Sequence, residues 1–171
     1  MASLERKALN GHPFNSTLET GIRALVVLEA FYPRRCDLIE MTWLDHLVVH
    51  TGDLDGQDVP ESLHPDLPNR AGELLVRRQL VEKSLRLMQQ VHLVEVFETE
   101  AGIEFSASEE APSYLDLLQT PYSVALKHRA KWMADHFAGL KATEMRALIE
   151  KRIGRWTAEF RTTDLPKRLP T

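Results

Sequence analysis

LVEVFETEAGIEFSASEEA, residues 93–111, carries two short runs of β-branched and aromatic residues on either side of Thr99-Glu100-Ala101-Gly102. Val, Ile and Phe favour the pleated surface of a strand, and a glycine in the connection can take the positive φ of a tight turn. The spacing therefore predicts a β-hairpin, with LVEVFE paired to IEFSAS. Its charge is one-sided. Glu95, Glu98, Glu100 and Glu104 are acidic, and no base stands among them.

Upstream of the hairpin the hydrophobic pattern is helical. Ser16-Thr17-Leu18-Glu19 matches a capping box and opens a helix with Leu18, Ile22, Leu25, Val26 and Glu29 at helical spacing, which Pro33 ends. Asp37 with Glu40 opens a second helix through Leu38, Ile39, Met41, Trp43, Leu44, Leu47 and Val48, closed by Gly52. It is apolar on nearly every side, which places it in the middle of the core. Residues 53–68 hold Asp53, Asp55, Asp58, Glu61 and three prolines without periodicity, an acidic loop. From Asn69 to Gln90 a third helix is expected, with Leu74, Val81, Leu85 and Met88 on one face, Val76, Leu80 and Leu87 beside it, and Gln79, Glu82, Lys83 and Arg86 opposite.

Downstream, Ser108 is expected to cap a short helix through Tyr114, Leu115, Leu117 and Leu118. Thr120 followed by Pro121 opens a longer one running to Gly139, and a last helix covers about Thr143 to Phe160. Three helices, a tight hairpin and then further helices is the order of a winged helix-turn-helix. The expected fold is mainly α, a winged helix-turn-helix with a β-hairpin wing and a C-terminal helical extension. Residues 1–14 read as a flexible arm, 15–119 as the winged-helix-like domain, 120–160 as the C-terminal helices and 161–171 as a disordered tail.

Composition narrows the function. At 171 residues, with 43% hydrophobic and 27% charged residues, the chain lies in the range of one ordinary globular domain with its own core. A lone cysteine, Cys36, has no partner for a disulfide or a CxxC zinc site, which suits a reducing cytoplasm. The first residues carry charges and no apolar h-region, and the longest apolar stretch, Ala24 to Tyr32, is interrupted by Glu29. Neither a secretory signal nor a membrane span is expected. A net charge of −4 argues against a protein whose main affinity comes from neutralising phosphates, so nucleic-acid contact would be local or shared with a partner.

Several constellations invite chemistry. His46 and His50 stand four apart on the second helix, a spacing that can put two imidazoles on one metal. Position 47 is Leu where a zincin would have Glu, and His64 and Asp53 are the remaining potential ligands nearby. Two buried or helix-end histidines are the plainer reading, and a metal-dependent enzyme on His46 and His50 is the alternative. No GxxxxGKS/T, GxGxxG, HExxH or GxSxG motif occurs, so no catalytic, cofactor or metal site is assigned.

Asp45 falls within the apolar arc of the second helix and Arg77 within that of the third. A buried charge persists when paired, so Arg77 pairs either with Asp45 or with Glu73 one turn away, as a structural salt bridge or, alternatively, in a role at a subunit interface. Arg78, Lys83 and Arg86 are potential DNA contacts on a presenting helix, although Glu73 and Glu82 interleave them as on a solvated face. An acidic wing would be repelled by phosphates, which favours protein contact over DNA readout. Trp132, Met133, Phe137, Trp156 and Phe160 are residue types enriched at the centres of protein interfaces. They form either a partner-binding surface or the packing of the last two helices on the winged core.

Beyond these patterns the chain resembles the middle components of bacterial ABC-ATPase three-component conflict systems, related to accessory subunits of Lamassu-type antiphage complexes. The resemblance lies in HPFNSTLETGIRAL (12–25), LVVHTGDLDG (47–56), SLHPDLPNRAGELLVRR (62–78) and GIEFSASEEAPSYLDLLQTPYSVALKHRAKWM (102–133). It implies a non-enzymatic adaptor working with an SMC-like or Rad50-like ABC ATPase and an effector subunit, often a nuclease, in sensing foreign phage or plasmid DNA. A winged-helix DNA-binding transcription regulator is the alternative from a different class.

Overall fold

The computed structural model describes residues 16–66 and 70–163, with side chains at all of these positions except 70, 71, 153 and 156–163. Helix α1 (Thr17–Phe31) starts where its cap dictates, the Ser16 hydroxyl accepting the Glu19 N–H at 3.1 Å. A two-residue strand, β1 (Cys36–Asp37), leads into α2 (Leu38–Val49), whose cap is the Asp37 carboxylate accepting the Glu40 N–H at 2.8 Å. A short 3-10 turn (Thr51–Asp53) and the acidic loop separate α2 from α3 (Arg70–Gln90).

The hairpin forms as β2 (Val94–Thr99) and β3 (Gly102–Ala107), and Gly102 takes φ +122°, a conformation that side chains rarely tolerate. β1 adds to the far side of β3. The sheet is antiparallel in the order β1-β3-β2, with Phe105 opposite both Cys36 and Val96. Helices α4 (Ala111–Asp116), α5 (Pro121–Phe137) and α6 (Ala142–Thr163) follow, α5 capped by the Thr120 hydroxyl accepting the Ser123 N–H at 3.1 Å. The chain is thus mainly helical with a small three-stranded antiparallel sheet.

One core holds these elements together. α1 and α2 lie at its centre, buried at Ala24, Leu25, Val27, Leu28, Met41, Leu44, Leu47 and Val48. α3 contributes Leu74, Val81, Leu85 and Met88, the sheet Phe105, α5 Leu126, Met133 and Phe137, and α6 Met145 and Ile149. α1 crosses α3 closely at Gly21, where a Cβ would stand 2.8 Å from Met88 Cε. Even alanine there would force Met88 to move.

Several local expectations need correction. Leu18 is 55% exposed and Val76 68% exposed, so neither joins the apolar face assigned to its helix. On the same helices Gly21, Ala24, Leu74 and Arg77 are among the buried residues. Ser108 does not cap α4. Its hydroxyl donates to the His92 carbonyl at 2.7 Å and accepts from the Glu110 N–H at 3.3 Å, bracing the turn before the helix, which starts at Ala111. α5 stops at Phe137, two positions before Gly139, and α6 extends to Thr163. Residues 1–14 and the tail beyond 163 lie outside the described residues. Among the described residues no helix is long and apolar enough to cross a membrane.

Candidate functional site

The densest group of chemically capable side chains is buried where α1, α2, α3 and α5 meet the acidic loop. Asp45, fully buried on α2, accepts from Arg23 of α1 through Nε at 2.8 Å and Nη2 at 3.2 Å, and from Arg77 Nη1 of α3 at 2.6 Å. Burial alone would raise the carboxyl pKa. The guanidiniums of Arg23 and Arg77 outweigh that and hold it below its ordinary value. Of the two bases Arg23 is the better satisfied, since among the described residues Arg77 Nε is buried without a hydrogen-bond partner.

A second layer sits beside the first. His46 Nε2 lies 2.8 Å from Asp53 Oδ2, the His46 and His50 rings stack with centroids 4.6 Å apart, and His50 meets His64 edge-on at 5.9 Å. His64 Nε2 in turn is 2.8 Å from the Tyr122 hydroxyl at the start of α5. Burial, helped by His46 and Arg77, pushes His50 down to about 3; burial, helped by Arg23 and Arg77, pushes His64 down to about 4. His46 is also lowered by burial, against the pull of its hydrogen bond to Asp53. The imidazoles are therefore neutral near pH 7 and serve as hydrogen-bonding and stacking groups.

The loop closes over this layer. Val49 O accepts both the Leu63 and His64 N–H groups at 3.0 Å, Thr51 Oγ1 donates to Pro60 O at 2.6 Å, and Arg129 of α5 donates to Glu61 O at 2.8 Å. Loop, α2 and α5 thus hold His46 and His50 inside and leave His64 half-buried at the rim. Among the described residues no group of three His, Cys, Asp or Glu side chains is placed to hold a metal ion. His46 and His50 are 0% and 3% exposed, so a substrate has no direct access to either.

The surface reads differently. Arg78, Lys83 and Arg86 are exposed on α3, but Arg86 is paired with Glu82 at 3.0 Å across one helical turn. On the hairpin Glu95, Glu98 and Glu100 are exposed, and Glu104 is half-buried. Arg35 stacks its guanidinium over the Phe97 ring, 3.6 Å from the centroid. The C-terminal aromatics divide. Met133 and Phe137 are buried in the chain's own core, where α5 turns that face onto α1 and α2. Trp132 is half-buried and stacks on His136 at 4.8 Å, while the side chains of Trp156 and Phe160 lie outside the described residues.

Residues 13–159 match the family model described as ABC-three component (ABC-3C) system Middle Component 2. The chain belongs to that family. No curated protein and no solved structure matches it. The Middle Component 2 match includes every element from α1 to α5, the hairpin, both layers of the buried cluster and most of α6.

Part of the cluster in this Middle Component 2 chain was legible beforehand. Asp45 and Arg77 stand out as charges on apolar arcs, and of the two partners open to Arg77 the structure uses Asp45, not Glu73. Arg23 obeys the same criterion, lying on the buried face of α1 between Thr20 and Val27, yet the reading passed over it. His64 and Tyr122 are 58 positions apart, and no local pattern could have joined them.

Proposed function

We propose that this Middle Component 2 chain is a non-enzymatic adaptor in the cytoplasm, joining an SMC-like or Rad50-like ABC ATPase to an effector, often a nuclease. The assembly would be a Lamassu-like defence complex that senses foreign phage or plasmid DNA. The observation that carries the reading is the inward-turned cluster. His46 and His50 are buried behind the loop, with Asp53 bonded to His46 and His64 packed on His50, and Tyr122 bonds to His64 at the surface. Membership of a middle-component family supports the same reading.

The winged-helix reading is part of the proposal. The order α1-β1-α2-α3-β2-β3, with β1 on the outer edge of β3, supports that reading, in which β2 and β3 would form the wing. The loop between α2 and α3 is far longer than the tight turn of that motif, and it is occupied in covering the histidines. An acidic wing suits protein contact better than phosphate contact. Any DNA contact would fall to Arg78, Lys83 and Arg86 on α3, within the assembled complex.

Co-expression with the ABC ATPase and third component encoded alongside, followed by size-exclusion chromatography, tests this. The chain is expected to co-elute with them; elution alone under every nucleotide condition would overturn the adaptor reading. The exposed bases of α3 favour one second reading, a DNA-binding regulator. A sequence-specific gel shift by the isolated chain, weakening steeply with salt, would select it.

A further inference from the structure

An apolar groove of about 710 Å³ opens between the start of α1, the end of α3 and α4. Leu87 and Met88 line it from α3, and Met88 is wedged against Gly21. Leu18, Val91 and Leu117 form its walls and are 55%, 48% and 78% exposed. A lone exposed leucine on a surface needs no explanation, but three large apolar side chains converging on one hollow, Leu18 from α1 and Val91 and Leu117 from the turns that end α3 and α4, do. Glu109 and Glu110 stand at its margin, and among the described residues none that lines it is basic. The acidic margin continues past Glu109 and Glu110 to Glu95 of the hairpin, which shares the adjoining depression with them.

We propose that this groove is the docking site for a basic amphipathic helix of a partner subunit. The proposal rests on the adaptor reading and names the surface through which it operates. The acidic margin repels an anionic occupant such as DNA or a lipid headgroup, and it complements Lys and Arg flanking an apolar stripe. A helix suits this hollow because it satisfies its own backbone amides and can lay apolar residues at i, i+3 or i+4 and i+7 against Leu18, Val91 and Leu117.

The test uses the full chain titrated onto the co-purified ATPase and third component. Val91→Asp and Leu117→Asp change exposed side chains and should melt as wild type. Each is expected to raise Kd by about tenfold or more, as loss of an interface anchor does. Glu109→Lys with Glu110→Lys should also weaken binding, and the deficit should shrink as salt rises. Leu75→Asp, at an exposed apolar residue outside the groove, should bind as wild type. A photo-crosslinker at position 117 is expected to capture a partner peptide with bases around an apolar helical stripe. Wild-type affinity in both aspartate variants, or crosslinking to a second copy of this chain, overturns the groove while leaving the adaptor reading standing. If the wild-type chain binds neither subunit, both fail.

Discussion

Asp45 is fully buried between two guanidiniums, which makes its removal more damaging than the removal of either partner. Asp45→Ala would leave Arg23 and Arg77 buried at 2% and 7% exposure with their shared counter-charge gone. Breaking a buried pair in this way typically costs about 3 to 5 kcal/mol. Arg77→Met keeps the two-pronged contact from Arg23 and should cost clearly less; equal shifts in the urea midpoint would contradict the shared-charge account. The histidines give stability a pH dependence. Folding holds His50 at about 3, His64 at about 4 and His46 below its ordinary value of 6.5. Below about pH 6.5 the unfolded chain takes up protons at these positions and the folded chain does not. Their contribution is therefore complete above that value and is lost on acidification towards pH 4 and 3. Glu40, pushed up to about 7 by burial and by Asp37, acts in the opposite sense between 4.5 and 7, as does Glu29, raised by burial. Three histidines outnumber two carboxyls, so the melting temperature should fall from about pH 7 to about pH 5. His50→Gln should flatten the slope; an unchanged slope would remove His50 from the account.

At the scale of elements, what was legible depended on how local the signal was. The caps at Ser16, Asp37 and Thr120 bond amides three residues on, and each was readable from its own tetrapeptide. The hairpin was readable because two β-favouring runs flank a turn with Gly102 at φ +122°. β1 was not, since two residues cannot display an alternating pattern and Cys36 finds its partner Phe105 only once the chain has folded. Exposed apolar residues misled for the same reason: Leu18 has helical spacing but faces the groove rather than the core. The hairpin's sign is an element-level property that can be reversed without touching the fold, because Glu95, Glu98 and Glu100 are exposed. Replacing all three by Lys should leave the melting temperature near wild type and strengthen binding to non-specific duplex DNA. The plot of log K against log salt should steepen by up to about three phosphate contacts. Unchanged affinity in the Lys variant would show that the wing does not face DNA in any bound geometry, and the charge argument for protein contact would lose its force.

The whole molecule behaves as one body in its contacts, although the sequence divides naturally at Thr120. Residues of the C-terminal block enter the same core as the first three helices: Leu126, Ala130, Met133 and Phe137 from α5, Met145 and Ile149 from α6. Polar ties cross the division as well. His64 reaches Tyr122, Arg129 donates to Glu61 O, Arg146 pairs with Asp37 at the cap of α2, and Arg152 pairs with Asp55 in the acidic loop. The apolar residues of α1 and α2 are buried on nearly all sides, and α5 and α6 cover part of that surface. A chain ending at residue 119 would expose the face of α1 and α2 that these helices cover and would lose one wall of the histidine cluster. Losing a single large core side chain typically costs about 2 to 5 kcal/mol, and this truncation removes six buried apolar residues at once. Against a total stability of about 5 to 15 kcal/mol for an ordinary domain, the fragment is not expected to fold. The full chain should then unfold in one transition, with calorimetric and van't Hoff enthalpies equal and tryptophan fluorescence coincident with circular dichroism. A fragment 1–119 with a cooperative melt, or two resolved transitions in the full chain, would instead mean that α5 and α6 are an appended unit able to detach. In that case the buried faces of Met133 and Phe137 would become available to a partner after all.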